Sequence, residues 1–184
     1  MTHKEGLQLL RKHVKNENLV KHCVAAGIIM RSLAEKFNEN KENWELTGLL
    51  HDLDWEETES TPEKHSLVAV EYLKQTDCPV EVIEAIRIHN HMHGFEPKTL
   101  LEKAIYCAEE LTGLIVASAL VQPDKKLASV KAESVLKKFK IPSFAKGVNR
   151  EIILKSKEFL GIELEELVKI ELEAMQQRSS EIGL

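Results

Sequence analysis

The chain has little that would tie it to a membrane, a secretory route or a polynucleotide. Its three cysteines, Cys23, Cys78 and Cys107, are odd in number and far apart. That argues against a disulfide framework and for a reducing compartment. No apolar stretch approaches the ~20 residues of a membrane span. The segment Met1 to Leu7 lacks the apolar region of a signal peptide, so a cytoplasmic location is expected. Formal net charge is −5, which disfavours nucleic acid as a partner of the domain as a whole. A Gly-rich phosphate loop and a Rossmann fingerprint are both missing, so no nucleotide cofactor is indicated. No strand pair, repeat, low-complexity tract or linker stands out.

What remains is helix. At 184 residues, 43% hydrophobic and 30% charged, the chain reads as one all-α domain with enough length to bury a core. Thr2-x-x-Glu5 is a capping box before Leu7, Leu9 and Leu10. A helical stripe runs through Leu19, Cys23, Ala26, Met30 and Leu33 to Phe37. Residues 38–42 make a polar connection, and Trp44 to Leu53 is helix again. Asp54 to Ser60 reads as an acidic loop. Thr61-Pro62 and Cys78-Pro79 each start a helix with proline at the first position, and Gly94 stops the second. Thr99 to about Val121 is a long helix. Short helices follow at Ser129 to Phe139, Asn149 to Leu160 and Glu163 to Gln177, with Gly161 as a C-cap. The core is expected at about 17–122, with the helices of 129–179 packing on it.

The informative residues are His51-Asp52, at the end of the run that starts at Trp44, flanked at wide spacings by His22, His65, His89 and Glu109. Adjacent side chains on a helix point roughly 100° apart. The doublet can therefore share a cation only where a helix end lets both turn inward, and an Asp has two oxygens with which to bridge two cations. His89 follows Ile86 and Val82 on one face; Glu109 follows Ile105; His22 lies one turn before Ala25 and Ala26. Several helices thus offer ligands to a common interior, as in the metal sites of helical bundles.

This pattern resembles the HD-domain superfamily of metal-dependent phosphohydrolases. The matching residues are His22, Leu49-Leu50-His51-Asp52-Leu53, His65, His89 and Ala108-Glu109-Glu110-Leu111. The likeness is strongest to small stand-alone members. It implies an all-α bundle around a central site holding one or two divalent cations (Mn, Zn, Co, Fe, Ni or Mg). His22, His51, Asp52 and Glu109 would hold the first, and Asp52 would bridge to a second on His65 and His89. The implied activity is metal-assisted hydrolysis of a small phosphorylated substrate, a mono- or diester. The alternatives are a mixed-valent di-iron oxygenase and a non-catalytic sensing module. Two departures bear on the metals. Glu109 stands where the family usually has Asp, and Asn90 where two-metal members often have a second consecutive His.

Beyond the ligands, His51, Asp52, Glu56 and Lys103 are the candidate catalytic residues. Asp54, Glu56 and Glu57 offer ligand orientation or proton donation, or form a solvated loop. Lys21, Lys103 and Arg150 offer phosphate contacts. His91 is expected to be exposed, and His93 to serve the site mouth or the helix end. Thr112 offers a hydroxyl one turn past Glu109. Cys23 has no oxyanion device around it and is rejected as a nucleophile. A homodimer is left open.

Overall fold

The computed structural model describes residues 1–184. It consists of twelve α-helices and two 3-10 turns, without a strand. Helix α1 (His3–His13) opens on the Thr2/Glu5 capping box. Helix α2 (Glu17–Phe37) is capped by Asn16 and ends at Asn38 in the left-handed conformation (φ 57°). Helix α3 (Lys41–Leu50) follows at once, capped by Asn40. After it come α4 (Trp55–Thr58), α5 (Leu67–Leu73) and α6 (Val80–His89), then a 3-10 turn (His91–His93). Helix α7 (Leu100–Leu120) begins on a second capping box, Thr99 with Glu102. A 3-10 turn (Leu127–Ser129) precedes α8 (Ala132–Phe139), α9 (Arg150–Leu154), α10 (Ser156–Leu160), α11 (Leu164–Gln177) and α12 (Ser179–Ile182). No helix is long and apolar enough to cross a membrane.

The tightest packing joins α2 to α3. A Cβ added to Gly48 would lie 2.3 Å from the Ala26 carbonyl oxygen, and one on Gly27 would lie 3.1 Å from that of Glu45. The two backbones touch because neither glycine puts a side chain between them. Two apolar cores flank this pair. One gathers Ile29, Leu33, Ile105, Leu111, Ile115, Leu167 and Met175 from α2, α7 and α11. The other gathers Leu10, Leu46, Leu50, Leu73 and Ile86 from α1, α3, α5 and α6. Each such side chain, buried from water, contributes roughly 1.5–3 kcal/mol.

Several element boundaries differ from the sequence expectation. The helix expected from Trp44 to Leu53 runs from Lys41 to Leu50. Residues 62–66 are turns, not the first turns of a helix, and α5 starts after Ser66 (φ 72°). Helix α6 stops at His89 because Asn90 is extended. Gly94 (φ 67°) ends the 3-10 turn instead. The acidic loop after His51-Asp52 contains α4, and Asn149 to Leu160 is two helices broken at Lys155. Helix α12 was not expected from the pattern.

Candidate metal centre

The end of α3 resolves the doublet's geometry. His51 is its C-cap, and Asp52 begins a turn, so both side chains swing to one side. Asp52 then faces two imidazole pairs. Its Oδ2 lies 3.6 Å from His22 Nε2 and 3.4 Å from His51 Nε2. Its Oδ1 lies 3.2 Å from His65 Nε2 and 3.8 Å from His89 Nε2. His22, His51 and Asp52 form one group whose donor atoms all lie within 4.8 Å, and Asp52, His65 and His89 form another. Glu109, on α7, brings Oε2 to 3.6 Å from His22 Nε2 and 3.8 Å from His51 Nε2. It joins the first pair from the opposite wall.

Each imidazole has its far nitrogen engaged. His51 Nδ1 donates to the Gly48 carbonyl at 2.7 Å, and His89 Nδ1 to that of Ile86 at 2.6 Å. His65 Nδ1 donates to Asp54 Oδ1 at 2.8 Å. The Thr112 hydroxyl donates to the Glu109 carbonyl at 2.6 Å, so it accepts from His22 Nδ1 at 3.2 Å. All four rings thus keep Nδ1 for an outer partner and turn Nε2 inward, the atom that a cation would take. The inward nitrogens pair closely, His22 with His51 and His65 with His89, each at 3.1 Å. Two neutral imidazoles that face one another in this way repel unless a proton or a metal cation sits between them. This donor set fits a divalent metal with imidazole and carboxylate preference.

Protonation follows burial and partners. Burial pushes the His51 imidazolium down to about 3, against the pull of Asp52. Burial also works against charge on His65, but its hydrogen bonds to Asp52 and Asp54 outweigh it and raise the group to about 9. Desolvation would raise Asp52, yet His51, His65 and His89 hold it well below the usual carboxylate range. Burial, then Glu110 and Asp52, push Glu109 well above that range. His51 and Asp52 are thus in the ligating state already. His65 and Glu109 would release protons on binding a cation, because metal and proton compete for the same lone pair.

A cavity of about 410 Å³ opens onto His22, Asp52, His65, His89 and Glu109, with Trp55, Met92 and Val148 as its apolar lining. His51, 1% exposed, lies beneath it. The structure does not bring the other two expected catalytic residues there. The exposed Glu56 carboxylate accepts the backbone N–H groups of Lys15 and Asn16. Lys103 lines a separate cavity with Tyr106 and Lys155. Arg150 spends its guanidinium on the carbonyls of Phe139, Ile141, Phe144 and Val148. Glu57 accepts from the Tyr72 hydroxyl, and Glu110 from the Asn149 N–H. Asn90 donates to the carbonyls of Pro62 and His65, which binds the His65 turn to the end of α6. His93 bonds the same His65 carbonyl. Trp55, whose ring meets His65 edge-on at 4.8 Å between centroids, carried no signal in the sequence beyond its place after Asp54.

Comparison with known proteins places this geometry. Ribonuclease Y of Acholeplasma laidlawii (strain PG-8A) is 28% identical over 97 residues, which are 52% of this chain and 18% of that protein. The match thus spans less than a fifth of the relative's own length. No solved structure matches. The family model of the HD domain matches residues 19–114, a stretch that contains all six clustered side chains from His22 to Glu109. The chain belongs to the HD-domain family, within the superfamily of metal-dependent phosphohydrolases.

Proposed function

We propose that this chain hydrolyses a phosphate mono- or diester of a small molecule at a centre built from His22, His51, Asp52, His65, His89 and Glu109. The observation that carries the reading is the division of Asp52 between two imidazole pairs, Oδ2 toward His22 and His51 and Oδ1 toward His65 and His89. One carboxylate placed between two nitrogen pairs suits two cations better than one. Divalent cations there would supply Lewis acidity, activating water and neutralising phosphoryl charge. His51, buried beneath the cavity, and Asp52, in its wall, fix the centre. Asp54 and Thr112 hold the His65 and His22 rings so that Nε2 points inward. Trp55 and Val148 keep part of the wall apolar, which strengthens charge interactions by excluding water.

The relative is by name a ribonuclease, which favours phosphodiesters for that protein. Here the net charge of −5 and the carboxylates of Glu109 and Glu110 at the cavity favour a small substrate over a polynucleotide. The whole of 1–184 is read as one domain, with α8 to α11 buttressing α2 and α7.

The test is elemental analysis of protein purified without chelator, followed by phosphatase and phosphodiesterase panels. Stoichiometric Mn, Zn, Co, Fe, Ni or Mg and phosphate-ester turnover are expected. His51→Ala and Asp52→Ala should each lower metal content and cut turnover by about 100-fold or more. Full activity in Asp52→Ala would refute the mechanism. Iron with oxygen consumption and no ester cleavage would replace it by a di-iron oxygenase.

A further inference from the structure

The cation cluster accounts for a phosphoryl group and leaves open what the phosphate is attached to. A second cavity, of about 490 Å³, lies between α2 and α7 and adjoins the first. The two share His22 and Gly113 in their linings. Their chemistry differs. The first is bounded mainly by imidazoles and carboxylates. The second is lined by Ala25, Val116, Leu120, Ile182 and Leu184, with Asn18, Lys21, His22 and Thr112 as its polar side chains. Leu120 is 50% exposed, an apolar side chain that the core does not cover. At the junction, a Cβ on Gly113 would meet Val148 Cγ2 at 3.3 Å, so a larger residue there would narrow the passage between the cavities.

We infer that this groove holds the organic group of the substrate, and that the substrate class is a phosphate ester of an apolar alkyl or aryl alcohol. The inference rests on the phosphohydrolase reading. A sugar would lose water contacts at its hydroxyls against Val116, Leu120 and Leu184, because the Thr112 hydroxyl is already bonded to Glu109 and His22 and leaves Asn18 and Lys21 to replace them. An alkyl or aryl group loses nothing there and gains burial. Hydrolysis would add water across the ester P–O bond. Phosphate leaves from the cation cluster, and the alcohol, carrying the proton, from the groove.

The test is calorimetric titration of Mn(II)-loaded protein with methyl-, butyl-, hexyl- and phenylphosphonate. A fully buried methylene is worth about fourfold in affinity. A groove half open to water should give about twofold per methylene, and so about 30-fold from methyl- to hexylphosphonate. Leu120→Glu and Gly113→Val should each flatten that slope. Equal affinity along the series in the unmutated protein would overturn the groove and leave the phosphohydrolase reading standing. A slope unchanged in both variants would also overturn it, by placing the alkyl chain elsewhere. Failure of every phosphonate to bind fully metal-loaded protein would overturn both.

Discussion

His65 and His22 show how much of a ligand's placement lies behind it. Asp54 is buried, accepts from His65 Nδ1 and also takes the Ala69 N–H at 2.8 Å, so one carboxylate fixes both the ring and the start of α5. Outer partners of this kind typically govern 10–100-fold in metal affinity. Asp54→Ala should therefore lower affinity at the His65/His89 half by about 10–100-fold, measured by competition with a fluorescent chelator. Thr112→Val should do the same for the His22/His51 half. Unchanged affinity in Asp54→Ala would mean that Trp55 packing alone orients His65. The six clustered residues were legible in the sequence through their order and spacing around the His51-Asp52 doublet, not through helical phase alone, since His51, Asp52 and His65 lie in turns. Glu56 and Lys103 were not placed correctly, because a charged side chain's fate depends on which backbone or cavity it meets. For Glu56 that is the turn at Lys15 and Asn16, 40 residues away for the latter. The part played by Thr112 needed the direction of the His22 ring, which no spacing reveals.

Helices α2 and α3 carry His22 and His51 and meet at Gly27 and Gly48. Since an added Cβ at Gly48 falls 2.3 Å from a backbone oxygen, Gly48→Ala cannot be absorbed by turning a side chain. The helices must separate, which should cost about 1–3 kcal/mol or more and draw His22 and His51 apart. Urea unfolding and metal content should both fall. Gly147→Ala, with nothing within 4 Å of its added Cβ, is the control and should stay within about 0.5 kcal/mol. Equal behaviour of the two would show that the α2–α3 contact is not what sets the ligand spacing. Element existence was largely legible. The box at Thr2/Glu5 and Gly161 at the end of α10 act locally and appear where the pattern puts them, and α7 starts directly after the expected Thr99. The start at Thr61-Pro62 failed for a non-local reason. The carbonyls of Pro62 and His65 accept from Asn90, and His65 and Ala69 are pinned by Asp54. Tertiary partners thus claim groups that a helix would have used.

At the scale of the molecule, the placement of the last helices was the least legible part, because it depends on which surface of α2 and α7 each apolar face finds. Helix α11 lays its face against both, and this carries an acid inside. Glu171 falls on the stripe of Leu167 and Met175 at four-residue steps, is 0% exposed, and has no hydrogen-bond partner for either carboxyl oxygen. Burial pushes its carboxyl well above the usual range. Below the unfolded value near 4.5 both folded and unfolded chains hold this proton, and the site costs no ionisation. Above it the unfolded chain ionises while the folded one does not, so stability falls as pH rises until the buried group itself titrates. Glu171→Met keeps the volume and removes the titration. Its gain should be about 1–3 kcal/mol at pH 4, where two unpartnered oxygens are buried, and should grow toward pH 7 as the acid of the unfolded chain ionises, read from melting temperatures of metal-free protein across that range. A gain that does not change with pH would mean that Glu171 is ionised in the folded chain, held by a cation within the α2–α7–α11 core.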